Sequence, residues 1–151
     1  MKKRAVKIEV EIVDKHLYRG KLPCIVNVRI TNISGDSILV NRRLEVGYRD
    51  SFNRELFVEV YNKGTNEIVS EPAQLYQRNP VMLQDYGYLE PEGEIAGSFD
   101  LCEWYYFPLP LAGDFEMVVY YQADESHSRE LPVGILRGIY SSEKIPFKII
   151  N

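Results

Sequence analysis

The sequence predicts an all-β domain, a two-sheet antiparallel β-sandwich of about eight strands joined by Greek-key connections. Three observations carry this prediction. Apolar and polar residues alternate with period two in several short runs, clearest in Ala5–Val13, where Val6, Ile8, Val10 and Ile12 oppose Lys7, Glu9 and Glu11. Dense turn chemistry separates the runs: Leu89-Glu90-Pro91-Glu92-Gly93-Glu94 is followed by Phe99-Asp100-Leu101, then by Leu111-Ala112-Gly113-Asp114-Phe115 and the alternating run Glu116 to Tyr121. No long amphipathic helix and no internal repeat interrupts this pattern.

Taken in order, Ala5–Val13 is the first strand and Leu22–Thr31 the second, with Cys24, Val26, Val28 and Ile30 in one core-facing row. The cluster Asn32-Ile33-Ser34-Gly35-Asp36-Ser37 turns the chain into a short third strand, Ile38-Leu39-Val40, predicted as the antiparallel neighbour of the second. Leu44, Val46 and Tyr48 extend that strand or begin another. Leu56–Tyr61 is a strand with Leu56, Val58 and Val60 on one face and Phe57, Glu59 and Tyr61 on the other, turned by Asn62–Glu67 into a hairpin return through Ile68 and Val69. Ser70–Tyr86, with Pro72 and Pro80 and weak periodicity, reads as a long connection that crosses between sheets or covers one end of the domain. Such connections often carry function. Ile95–Leu101 leads into Cys102-Glu103-Trp104-Tyr105-Tyr106-Phe107, where Pro108 and Pro110 allow at most one helical turn. Phe115, Met117, Val119 and Tyr121 face one side of the next strand, and Ile145, Phe147 and Ile149 form the inward row of a closing strand.

With 151 residues, the chain reads as a single domain, residues 1–151, that buries about 68–70% of its unfolded surface and needs no disulfide or metal to fold. The 22 acidic against 18 basic residues, net charge -4, show no basic face and exclude a general nucleic-acid backbone binder. Met1-Lys2-Lys3-Arg4 is followed by alternating residues and not by an apolar run, so neither a signal peptide nor a membrane span is expected. Cys24 and Cys102 lack the neighbours of a metal site and read as two free, mostly buried thiols in a reducing compartment, the cytoplasm. Asn32-Ile33-Ser34 fits a glycosylation acceptor but is better read as turn chemistry.

Catalytic constellations are sparse. The only histidines are His16 and His127, and Asp124-Glu125-Ser126-His127-Ser128 sits where a solvated hairpin tip is expected. An enzyme using Asp124, His127 and Ser128 ranks last among the functional classes. The Pro91-Glu92-Gly93-Glu94 carboxylates are turn residues, and no zinc-binding helix motif, phosphate loop or paired-cysteine motif occurs. No enzyme activity, cofactor or metal is implied.

One cluster stands out. Trp104, Tyr105 and Tyr106 lie between prolines, with Phe107 beside them and Tyr86 and Tyr88 upstream, and aromatics of this kind anchor a partner at small entropic cost. Trp104, Tyr105, Tyr106, Tyr86 and Tyr88 are therefore the candidate partner-binding residues. The structural alternative has Trp104 and Phe107 plugging one end of the domain while Tyr105 and Tyr106 stay partly exposed. Leu131-Pro132-Val133-Gly134-Ile135-Leu136 is a second apolar segment, either an interface or folded back on the core.

The strand-Asn opening Val28-Arg29-Ile30-Thr31-Asn32, the Leu89-x-Pro91-x-Gly93-Glu94 turn, Phe99-Asp100-Leu101 and the Gly113-x-Phe115 start of a Tyr-rich strand together resemble immunoglobulin-like sandwich domains of bacterial proteins. Similar layouts occur in accessory domains beside secreted metalloendopeptidases and in small intracellular proteinase inhibitors. The resemblance covers Ala5 to Ile149 and implies an immunoglobulin-like Greek key without identifying any chemistry. Phe115 stands where such domains often carry Tyr, which removes a tyrosine-corner bond, and Cys102 precedes the strand in which an inter-sheet disulfide would need its second cysteine. The function expected is a non-enzymatic protein-binding module, in its sharper form a proteinase inhibitor whose Pro-bounded loop occupies a substrate cleft. A carbohydrate-binding module using the same aromatics is the alternative. The sequence names neither the protein partner nor the oligomeric state.

Overall fold

A computed structural model describes residues 5–14, 16–18, 24–49, 54–73, 82–106, 112–123 and 134–150. The fold is all-β, with one short helix among these residues. The strands are β1 (Val6–Ile12), β2 (His16–Tyr18), β3 (Ile25–Asn32), β4 (Ile38–Asn41), β5 (Leu56–Asn62), β6 (Glu71–Pro72), β7 (Tyr86–Leu89), β8 (Glu94–Asp100), β9 (Tyr105–Tyr106), β10 (Gly113–Ala123), β11 (Gly138–Ser141) and β12 (Ile145–Ile150). The helix α1 is the single turn Leu101–Trp104, capped by the Asp100 carboxylate, which accepts from Cys102 N. No helix of the described residues is long and apolar enough to cross a membrane.

Two sheets share one core. The first has the order β1-β3-β8, antiparallel throughout, with Ile8 opposite Ile30 and Ile30 opposite Ile95. The second is built on β10: β5 occupies one edge, β11 and then β12 occupy the other, and β2 runs parallel to β12 beyond it. Period-two patterning sets which side chains meet. Val6, Ile8, Ile12, Val26, Val28, Ile30, Ile95 and Phe99 from the first sheet pack in one cluster with Val58, Val60, Phe115, Met117, Val119, Tyr121, Phe147 and Ile149 from the second. Each large side chain so buried stabilises the fold by about 1.5–3 kcal/mol.

The predicted strands from residues 5, 22, 56, 95, 115 and 145 are all present, and the core rows of β1, β3, β10 and β12 face inward as the alternation requires. The predicted pairing of Ile38-Leu39-Val40 with the second strand does not form. Both edges of β3 are taken, by β1 and by β8, so β4 pairs instead with β7, Ile38 opposite Leu89. The hairpin return after β5 forms at the two predicted residues: Ile68 makes an antiparallel bridge to Tyr61, and Val69 N donates to Val60 O at 2.8 Å. The long connection from Ser70 is not structureless, since β6 pairs with β9 and a 3₁₀ turn, Leu83–Asp85, leads into β7. Strands β2, β6, β7, β9 and β11 are too short to leave a periodic signal. Ile135 is buried and bridges Leu39, so the described part of the second apolar segment folds back on the protein. Met1–Arg4, residues 74–81 of the long connection, Phe107, the Asp124–Ser128 run and Leu131–Val133 lie outside the described residues.

One buried amide joins the turns at this end of the first sheet. Asn32 is fully buried; its Nδ2 donates to Leu89 O at 2.8 Å and to Asp36 O at 2.7 Å, and its Oδ1 accepts from Ser34 N at 2.9 Å. Its backbone completes the junction, N donating to Gly93 O and O accepting from Glu92 N, each at 2.9 Å. Gly93 is required here, because a Cβ on it would stand 2.8 Å from Glu90 O. Phe115, at the position where a tyrosine was missing, is fully buried beside Phe147, while Tyr121 and Tyr105 supply the buried phenol bonds, to Asn41 O and Gly47 O, both at 2.7 Å.

Asn32→Ala leaves Leu89 O and part of the 32–36 turn without partners. Urea denaturation is expected to show a loss of about 2–3 kcal/mol with an unchanged m-value, and an unchanged midpoint would show that the amide does not hold the corner.

Candidate functional site

The outward face of β5 and β10 gathers the charged and aromatic side chains. Strand β5 is buried on both faces, with Phe57 fully buried and Glu59 nearly so on the side away from the core. The register places Phe57 opposite Tyr120 and Glu59 opposite Val118. The Phe57 and Tyr120 rings stack at 4.5 Å and 7°. The Arg49 guanidinium covers both, 4.8 Å from the Phe57 centroid and 5.4 Å from that of Tyr120. Glu59 Oε1 fixes Arg49, accepting from Nε at 2.7 Å and from Nη2 as well. The other Glu59 oxygen accepts from the Tyr61 hydroxyl, which lies 3.4 Å from the Tyr120 hydroxyl, and Lys144 Nζ stands 5.8 Å from the Tyr61 ring.

Charge and burial are matched within this group. Glu59 is out of water yet paired with a guanidinium and a phenol, as a buried carboxylate must be. Desolvation, then the bond to Glu59, pushes the Tyr61 phenol well up, so it stays a neutral donor. The Glu59 bond likewise raises the Arg49 value and keeps it charged. Half of the Arg49 side chain remains exposed at 52%. The result is a cation and two phenols held in place over buried aromatics, with little rotamer freedom left to lose on contact.

The candidate residues from the sequence fall on three places. Tyr105 is buried, not partly exposed as predicted: its hydroxyl donates to Gly47 O and accepts from Val58 N at 3.0 Å, satisfying a backbone donor on the outer edge of β5. Ser70 Oγ does the same for Val60 N at 3.1 Å. Edge strands need such cover. Trp104 is half-buried between Tyr48, ring centroids 6.4 Å apart, and the Arg54 guanidinium at 5.4 Å. Tyr106 is half exposed on the short β6–β9 ribbon, its hydroxyl donating to Glu71. Tyr86 and Tyr88 lie on β7, paired with β4, where Tyr88 is 68% exposed and its carbonyl accepts from Arg42 Nη1 at 3.1 Å. Trp104 and Tyr105 are thus brought together with Tyr48, next to Arg49 in the chain, whereas Tyr86 and Tyr88 belong to a separate ribbon.

No protein-family model matches the chain, and no curated protein is similar to it in sequence. Among the described residues, no group of three or more His, Cys, Asp or Glu side chains could hold a metal ion. A concavity of about 520 Å³ on the outer face of the first sheet is lined by Glu9, Glu11 and Arg29, and Arg29 is already bound to Glu9 at 2.8 Å. Beneath Trp104, Arg43 grips buried Glu55 with two bonds of 2.9 Å and Arg54 meets Glu45 at 3.3 Å, an ion network that fixes the start of β5.

Arg49, Phe57 and Tyr120 were not singled out from the sequence, although one signal was there. Both faces of Leu56–Tyr61 carry large apolar or aromatic residues, and a strand of that kind has something packed on each side.

Tyr105→Phe leaves Val58 N and Gly47 O unpaired and is expected to cost about 1–3 kcal/mol in urea denaturation, whereas Tyr106→Phe changes stability by less than about 0.5 kcal/mol. Equal effects of the two would contradict the edge-capping role of Tyr105.

Proposed function

We propose that the chain is an immunoglobulin-like Greek-key β-sandwich that works as a non-enzymatic protein-binding module, and that its contact surface is the outward face of β5 and β10. The observation that carries this reading is Arg49, half exposed, bonded to Glu59 and stacked over Phe57 and Tyr120. Arginine and tyrosine, held rigid over buried aromatics, are the side chains on which protein interfaces concentrate their affinity. Two sheets sharing one core, with β2 parallel to β12 at an edge, agree with the immunoglobulin-like layout.

The carbohydrate reading has less support. A sugar-stacking platform needs open ring faces, yet the Tyr120 ring is stacked on Phe57, Trp104 lies against Arg54, and Tyr105 is buried. The proteinase-inhibitor form relies on protruding Pro-bounded segments, while the favoured face is a sheet surface. General protein binding is therefore the function we favour.

Affinity capture from lysate of the native organism tests this, comparing the wild-type chain with an Arg49→Ala/Tyr120→Ala variant of confirmed folding. The wild type is expected to recover a protein that the variant binds roughly 30-fold or more weakly. Equal recovery by both would remove the face from the interface, and saturable quenching of Trp104 fluorescence by soluble glycans would favour the carbohydrate module.

A further inference from the structure

The two cysteines, 78 positions apart in sequence, meet in the fold. Ile25 at the start of β3 pairs with Asp100 at the end of β8, and one step further out Leu101 N donates to Cys24 O at 2.8 Å. A single oxygen, Asp100 Oδ1, accepts from Cys24 N and from Cys102 N, each at 3.0 Å. The two backbones are thereby pinned to one atom, and each thiol shifts the titration of the other, Cys24 upward and Cys102 downward. A disulfide needs Cα atoms about 4.4–6.8 Å apart, and two backbone nitrogens that each stand 3.0 Å from one oxygen lie within about 6 Å of each other. Cys24 is 1% exposed and Cys102 only half-buried, so a reagent in solution reaches Cys102 first.

We propose that Cys24 and Cys102 form a dithiol redox site, closed to an intramolecular disulfide by exchange with a small-molecule disulfide such as oxidised glutathione. The Cys102 thiolate attacks one sulfur of that disulfide; its S–S bond breaks, one thiolate leaves, and a mixed disulfide forms on Cys102. The Cys24 thiol releases its proton to solvent and its sulfur attacks Cys102 Sγ, expelling the second thiolate. The protein loses two electrons and two protons, and the small disulfide becomes two thiols. The neighbouring Cys24 holds the Cys102 thiol below its ordinary value, while Cys102 and burial hold the Cys24 thiol above its own, which favours Cys102 as the attacking group. Closure ties the start of β3 to α1, the turn that leads into Trp104 and Tyr105, without requiring either strand to move far. This site is independent of the binding face.

Equilibration of the full chain in glutathione buffers of increasing oxidised fraction tests the proposal, read by intact mass, thiol counting and non-reducing gel mobility. The wild type is expected to lose both thiols together, to lose the mass of two hydrogen atoms, and to remain a monomer. Cys24→Ala is expected to trap a glutathione adduct on Cys102. Three wild-type results would overturn the proposal: a lasting adduct on Cys102, a disulfide-linked dimer, or two free thiols at every buffer ratio. The wild-type arm decides by itself, so misfolding of the variant would not rescue the idea.

Discussion

The Asn32 side chain is the contact on which the arrangement at one end of the protein depends. Strand β3 ends there with a buried amide, and burying an amide is tolerable only when its polar atoms find partners. Asn32 finds them in Asp36, Ser34 and Leu89, so one residue closes its own turn and fastens it to the turn that precedes β8. With β1 and β8 on its two edges, β3 has no edge left for β4, and the chain must leave the first sheet. The β4–β7 ribbon is the consequence.

The second sheet solves a related problem around β10. Its long run meets β5 on one side and the consecutive β11 and β12 on the other, and where those two strands part, Ser142 fills the gap: its hydroxyl accepts from Val119 N at 3.0 Å and its own N donates to Val119 O at 2.9 Å. The outer edge of β5 is closed by the side chains of Tyr105 and Ser70. Hydroxyls thus do at strand edges what a neighbouring strand would do, and they keep the edge from pairing with other chains.

These constraints also shape the proposed contact surface. Neighbours in sequence separate across the sheet: Tyr121 goes into the core and bonds Asn41 O, while Tyr120 goes out to meet Phe57 and Arg49. Glu59 can be buried on that outer face only because Arg49 and Tyr61 neutralise and bond it, and the same contacts hold the exposed half of Arg49 still. The cysteine pair follows the same economy, with Asp100 capping α1 and aligning both thiol-bearing residues through a single oxygen.

The alternation of Val6 to Ile12, of Cys24 to Ile30 and of Phe115 to Tyr121 determined that the protein is all-β and which faces are buried, because burial period is a property of each strand alone. The single helical turn was legible too, since Pro108 and Pro110 forbid a longer one. Pairing was not legible: nothing local tells β4 that β3 is already occupied on both edges. Nor could the sequence say that Tyr105 is needed to cap Val58 N, that Arg49 would lie over Tyr120, or that Cys24 would share Asp100 with Cys102, because each of these contacts joins residues far apart in the chain. The sequence by itself determined the longer strands and their inward rows; only the tertiary structure decided which edges were free, and hydrogen bonds and charges follow the edges.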